Sequence, residues 1–267
     1  MDEQEQVKKM TKQEQQACLN CEHDCSACAQ GCTSKVKRPA DTVIAVTGGK
    51  GGTGKSVVTV LFAKALMKRG LTVAILDADI ACPSIPALLG MKEPVLGDMP
   101  VLTPVAGPGG ISVVSMGIIS DEPLEPVLWT GKYMAQVAAW LMRDTKWPEG
   151  LDVLLIDMPS GAGDIPLAYY TAMPLDYALA VVEPGELSSG AARRAVSLAE
   201  KLCVPVMGIV ENFAEEDMNL PESCKGIPVV ATISYNGALR RAACGGKLGG
   251  YETECLDDLA RVINELR

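Results

Sequence analysis

The chain has 267 residues, 48% of them apolar, with 24 lysines and arginines against 33 aspartates and glutamates for a formal net charge of -9. Such a chain can bury one sizeable α/β core, and its acidic balance repels nucleic-acid phosphate and anionic lipid, so neither is an expected partner. The leading "MDEQEQVKKMTKQEQQ" has no apolar run of the kind a secretory signal carries, and no later stretch has the length of a membrane span, so the expectation is a soluble, cytoplasmic protein.

Residues 1–40 read as an appended segment, polar and then cysteine-rich, ending in the linker-like "KVKRPAD". Five of the ten cysteines fall within fifteen residues here, Cys18, Cys21, Cys25, Cys28 and Cys32, with gaps of two and three. A chain this large does not need disulfide stapling, so the crowding points to metal bound in a reducing compartment. Iron–sulfur clusters favour short C-x2-C steps with a fourth thiolate nearby, and this run offers more ligands than one cluster needs. Zinc is the rival reading, because two C-x2-C pairs also make four thiolates. Redox thiols without metal are a third. His23, the one histidine, is read as a solvated side chain rather than a ligand.

From residue 41 to 267 the expectation is a single domain. Short β-branched runs ("TVIAV", "LTVAIL", "ISVVSM", "LDVLLID", "YALAVV", "PVMGIV", "PVVATI") alternate with longer helical patterns. They predict an α/β fold: a mostly parallel sheet flanked by helices on both faces. Runs such as "VLLI" lack polar alternation, as strands covered on both faces do. Helices are expected in "KSVVTVLFAKALMKRG", closed by Gly70, in "GKYMAQVAAWLMRDT" and in "SSGAARRAVSLAEKLC". The connection "MKEPVLGDMPVLTPVAGPGG" is expected to be irregular with a tight turn at its end, and the C-terminal "LDDLARVINELR" a packing helix.

Between the first strand and first helix stands "GGKGGTGKS". Gly49, Gly54, Lys55 and Ser56 satisfy G-x-x-x-x-G-K-[ST] in the strand–loop–helix context that a phosphate-binding loop requires. Backbone N–H groups from Gly49 through Gly51, Gly52 and Thr53 to Val57 would converge on phosphate. The helix N-terminus adds positive potential, Lys55 reaches terminal phosphates and Ser56 offers a hydroxyl to Mg2+. Magnesium takes further oxygen, and Asp157 at the end of "LLID" is the candidate ligand. "AILDADIACPS" supplies Asp77 and Asp79; Asp79 is the candidate catalytic carboxylate, able to orient water or support the metal, though either acid could instead cap a helix or turn.

Lys50, early in the loop, has no task in an ordinary phosphate loop. Here "GGKGGTGKS" resembles the deviant Walker A box of the MinD/ParA/NifH-like ATPases. That resemblance implies a nucleotide-sandwich homodimer in which Lys50 reaches the phosphates of the partner subunit and stabilises charge there. "DADIACPSIPALLG", "VLWTGKYMAQVAAWLM", "DVLLIDMPSGAGDIPL" and "ARRAVSLAEKLCVPVMGIVENF" are similar, in order and spacing, to the Mrp/ApbC branch over Thr42 to about Leu248. The branch implies an ATP-dependent carrier that holds a [4Fe-4S] cluster and passes it to apo-proteins, with Asn212 contacting the adenine base. Some members of the wider Mrp group, eukaryotic cytosolic scaffold ATPases among them, carry an N-terminal cysteine cluster of different spacing.

The branch also bridges its cluster with a C-x-x-C after that asparagine, whereas "ENFAEEDMNLPESCKG" contains only Cys224. Two thiolates at a two-fold axis are short of the four that such a cluster takes, so Cys224 is read as an ordinary thiol. Cys82 is read as a buried free cysteine, and Cys203, Cys244 and Cys255 as packing residues. Alternative functions are ATP-driven electron transfer of the nitrogenase-reductase kind and metal insertion into a dedicated client enzyme; a membrane- or DNA-positioning ATPase is disfavoured by the acidic surface.

Overall fold

The computed structural model describes residues 36–91, 102–119, 131–215, 220 and 224–266. The cysteine-rich run and His23 lie outside them. The elements in chain order are β1 (Thr42–Thr47), α1 (Lys55–Lys68), β2 (Val73–Asp77), α2 (Ile85–Leu89), β3 (Val105–Ala106), β4 (Ser112–Val114), α3 (Met116–Ile119), α4 (Gly131–Arg143) and β5 (Val153–Asp157). They continue with α5 (Asp164–Ala172), β6 (Tyr177–Val182), α6 (Glu186–Lys201), β7 (Val206–Ala214), β8 (Val229–Ser234), α7 (Gly237–Cys244) and α8 (Asp257–Leu266).

The strands form one eight-stranded sheet in the order β3-β4-β2-β5-β1-β6-β7-β8. Every pairing is parallel except β3 with β4. The chain passes from β1 over the place of β5 to β2 on one side, and later from β5 over β1 to β6 on the other, so a crevice opens at the carboxyl ends of the central strands. Register brings Asp77 of β2 level with Asp157 of β5, which is level with Val46 of β1. Two carboxylates therefore stand at the strand edge from which the glycine loop springs.

Successive β1 side chains serve opposite faces. Ile44 and Val46 pack with Phe62 and Leu66 of α1 and Leu259 and Ile263 of α8. Val43 and Ala45 pack with Leu141 of α4 and Tyr169 of α5. Because both faces are covered, all of β1, β2 and β5 is buried, which is why their sequences show no polar alternation. At the far edge β8 is half-open, with Val229 48% exposed. The C-terminal helix α8 packs as expected, burying Leu259, Ala260 and Ile263.

The structure adds elements that the patterns missed. The connection expected to be irregular contains β3, two residues that fold back antiparallel on β4 through a 3-10 turn at Pro108–Gly110. Gly109 and Gly110 there both have φ above +80°, a conformation open to glycine at little cost. Helix α2 is five residues long with Pro86 in its first turn, too short to display a period. The chain enters the sheet at the opposite pole from the glycine loop: the Asp41 and Thr42 amides donate to the Leu151 and Asp152 carbonyls at the amino end of β5.

Phe62 is fully buried where α1 meets the sheet. Phe62→Ala is expected to cost about 3–5 kcal/mol of unfolding free energy, read as a lower urea midpoint at unchanged slope.

Candidate functional site

The loop after β1 ends at Gly54, whose φ of 79° turns the chain into α1 with no side-chain cap on the helix. The first amides of α1 are thus left for an external acceptor, and an anion is the acceptor that the helix dipole favours. Gly49 is needed for a steric reason, because a Cβ there would run into the backbone of Ala191 and Ala192 in α6. The loop is clamped between α6 and the sheet.

Asp157 gathers the polar groups beneath this loop. Its carboxylate is 0% exposed. Lys55 Nζ lies 3.4 Å from Oδ1, and Ser56 Oγ donates to Oδ2 at 2.6 Å. The Thr59 hydroxyl stands 3.0 Å from Oδ1 and 3.0 Å from the Lys55 carbonyl. The expected partners Lys55, Ser56 and Asp157 are therefore brought together. Thr59 was missed; its one signal is a place four residues beyond Lys55, on the same helix face.

The two aspartates after β2 play different parts. Asp77 is buried and accepts from the Ser84 and Ile85 amides at 3.0 and 3.1 Å and from the Ser115 hydroxyl at 3.0 Å. It ties the start of α2 and the end of β4 to β2, the capping alternative of the sequence reading. Burial first, and the nearby Asp157 charge second, raise its pKa to about 7. Asp79 is half-buried and lines the cavity; burial raises its pKa, opposed by a hydrogen bond from the Cys82 amide and by the Lys55 charge.

Lys50 is turned outward, 47% exposed, with Nζ donating to Glu183 Oε1 at 2.9 Å. Asn212 is buried, and its Nδ2 donates to the Thr53 carbonyl at 2.8 Å, pinning the loop from beneath. The Thr53 hydroxyl is buried and finds no hydrogen-bond partner. Together these residues open into a cavity of about 830 Å³ that runs from Lys50–Val57 past Asp79 and Asn212 to Phe213, Tyr235 and Leu239.

The cysteines depart from expectation. Cys82 is exposed and lines this cavity instead of being buried, its amide donating to Asp79 Oδ1 at 3.0 Å while Ala78 and Ile80 of the same loop pack inward. Cys203, Cys244 and Cys255 are exposed rather than packed. Cys224 is 4% exposed, against Ala180, Val182 and Ile209. Among the described residues no group of three or more His, Cys, Asp or Glu could hold a metal ion.

Asp77 keeps its proton in the fold up to about pH 7, whereas its ordinary value is 3.8. Between those values the unfolded chain binds fewer protons, so this group's contribution to stability is full in acid and lost as pH rises through 7. Asp77→Asn is expected to flatten the fall in stability between pH 4 and 7, measured by urea titration at each pH.

The profile of the ParA family, described as NUBPL iron-transfer P-loop NTPase, matches residues 39–227. A protein of Clostridium perfringens named iron-sulfur cluster carrier protein is 32% identical over 89% of this chain and 95% of its own length. Another of that name, from Methanococcus maripaludis, is 41% identical over 64% of this chain, which spans 59% of that relative. Among solved structures, a nucleotide-binding protein of Archaeoglobus fulgidus in complex with ADP superposes with a TM-score of 0.67 at 30% identity, over 82% of this chain and 92% of that one. The cell division ATPase MinD of Pyrococcus furiosus, 22% identical with a TM-score of 0.64 over 85% of this chain and all of its own, shares the fold. A glycine loop clamped over a buried lysine–aspartate pair, at the edge of a parallel sheet, thus has its counterpart in sequence as well: the chain belongs to the ParA family of NUBPL-type iron-transfer P-loop NTPases.

Proposed function

We propose that the chain binds ATP at Gly49–Val57, hydrolyses it as a homodimer, and couples that cycle to carrying [4Fe-4S] clusters that it hands to apo-proteins. The observation that carries the nucleotide half is the buried set of Lys55, Ser56 and Thr59 on Asp157, directly beneath uncapped helix amides. Support for the cargo comes from the family and from the relatives named iron-sulfur cluster carrier protein. The A. fulgidus neighbour with ADP supports the choice of nucleotide.

In this reading the amides of the loop and the start of α1 bind the phosphates, and Lys55 exchanges part of its pairing with Asp157 for the terminal phosphate oxygens. Ser56 and Asp157 offer the hard oxygen donors that suit Mg2+ and would hold it, where it would supply charge to the phosphate oxygens. Asp79, half-buried in the cavity with a carboxylate that burial makes more basic, is placed to orient the attacking water. Lys50, exposed on the rim, is free to exchange Glu183 for the phosphates of a partner subunit. Asn212 holds the loop through Thr53 and borders the space for the base.

The thiolates for the cargo are four of Cys18, Cys21, Cys25, Cys28 and Cys32. Closure of the dimer on ATP and its release after hydrolysis would change how far the cluster is exposed to a client. A cytoplasmic location suits a labile cluster, and among the described residues no helix is long and apolar enough to cross a membrane.

Reconstitution of the full chain with iron and sulfide under anaerobic conditions is expected to give a cluster spectrum, and alanine at the five N-terminal cysteines to abolish it while ATP still binds. Protein that takes up only zinc, or no metal, would overturn the cargo. Lys50→Ala is expected to slow phosphate release by roughly a hundredfold or more with little change in ATP affinity; unchanged release would remove the trans role.

A further inference from the structure

The cavity has two chemically different ends. Near the loop it is cationic and polar, with Lys50, Lys55 and Ser56; at the other end its wall turns aromatic and apolar, with Phe213, Tyr235 and Leu239. At about 830 Å³ it leaves room beyond a triphosphate at the aromatic end.

The backbone is distorted to make that end. Phe213 has φ of 58°, and among the described residues only Cys203 shares a positive φ without being glycine. A bulky side chain in this region is disfavoured and persists where the surroundings enforce it. The inversion coincides with a register shift between β7 and β8 that falls between Asn212 and Ala214. The irregularity sets neighbouring residues to different tasks: Asn212 turns inward to the Thr53 carbonyl, while Phe213 lines the cavity. The Phe213 ring lies 3.4 Å from where a Cβ on Gly54 would stand, at the threshold of α1.

Tyr235, just past β8, completes the wall. Its ring centroid is 6.5 Å from that of Phe213, with the planes inclined by 47°. It is 54% exposed, far more than a packing aromatic, and Arg240 Nη1 donates to its hydroxyl at 3.4 Å. The two rings make an open corner, with one side fixed on the loop and the other held by α7.

We propose that Phe213 and Tyr235 are the specificity-determining residues of the site, an aromatic corner that selects a purine base by stacking and edge contact. The proposal rests on the nucleotide reading above. A flat heteroaromatic placed in the corner meets the face of one ring and the edge of the other, the arrangements that aromatic quadrupoles favour. A bicyclic purine covers more ring area there than a pyrimidine does.

Calorimetry on the full chain with the magnesium complexes of ATP, CTP and inorganic tripolyphosphate tests this. Wild type is expected to bind ATP at least about tenfold more tightly than CTP, the scale of one base–aromatic contact. Tyr235→Ala and Phe213→Gly are each expected to weaken ATP about tenfold and to leave tripolyphosphate unchanged, while Tyr235→Phe binds ATP as wild type does. Phe213→Gly, which relieves the positive φ, is expected to melt no lower than wild type, so its loss is not one of folding. Variants that bind ATP as tightly as wild type, or that lose tripolyphosphate in parallel, would overturn the corner and leave the nucleotide reading standing. A wild-type chain that bound none of the three would overturn both.

Discussion

One buried carboxylate organises the active edge of this protein. Asp157 ends the central strand β5 with no solvent contact, and such a charge is tolerated only when its oxygens are fully served. Lys55, Ser56 and Thr59 serve them, all from the first turns of α1. The interaction therefore fixes the rotation of α1 about its axis and its height above the sheet. It thereby sets the direction in which the amides at the helix start are aimed. The loop's ability to meet an anion follows from a pairing made beneath it, before any ligand arrives.

A second acid one strand away does a different job with the same chemistry. Asp77, level with Asp157 across the β2–β5 pairing, is given to backbone amides and the Ser115 hydroxyl. Burial and the nearby Asp157 charge both push the Asp77 pKa upward, opposed by the amides and the hydroxyl that hydrogen-bond to it. The neighbouring Asp79 is left facing the cavity. Division of labour within "DAD" is thus set by depth: the inner acid builds the frame and the outer one meets whatever enters.

Much of this was legible in the sequence because the relevant signals are local. The glycine spacing, the apolar runs of β1, β2 and β5 and the terminal Asp157 are properties of adjacent residues, and they translate directly into a strand, a loop and a helix start. What escaped depends on contacts between distant segments. Thr59 matters only because α1 lies over β5, and Glu183 only because the β6 end lies beside the loop. Cys82 reads as a buried free cysteine, yet it is exposed, because its amide is turned to the Asp79 carboxylate across a turn that a residue-type preference does not show. The backbone inversion at Phe213 is invisible in "VENF", since a register shift between two strands belongs to neither strand alone.

The place where the chain enters the sheet has a consequence for the leading segment. Asp41 and Thr42 are anchored at the amino end of the central strands, while the glycine loop leaves from the carboxyl end. The length of β1, six residues or about 20 Å at the usual rise per residue, separates those poles. The residues just before Asp41 keep to the amino end, Val36 and Ala40 packing on the core and Arg38 pairing with Asp176, remote from the glycine loop. Under the proposed function, coupling between thiolates ahead of that entry point and phosphates at the glycine loop would have to cross the length of the sheet or pass around it.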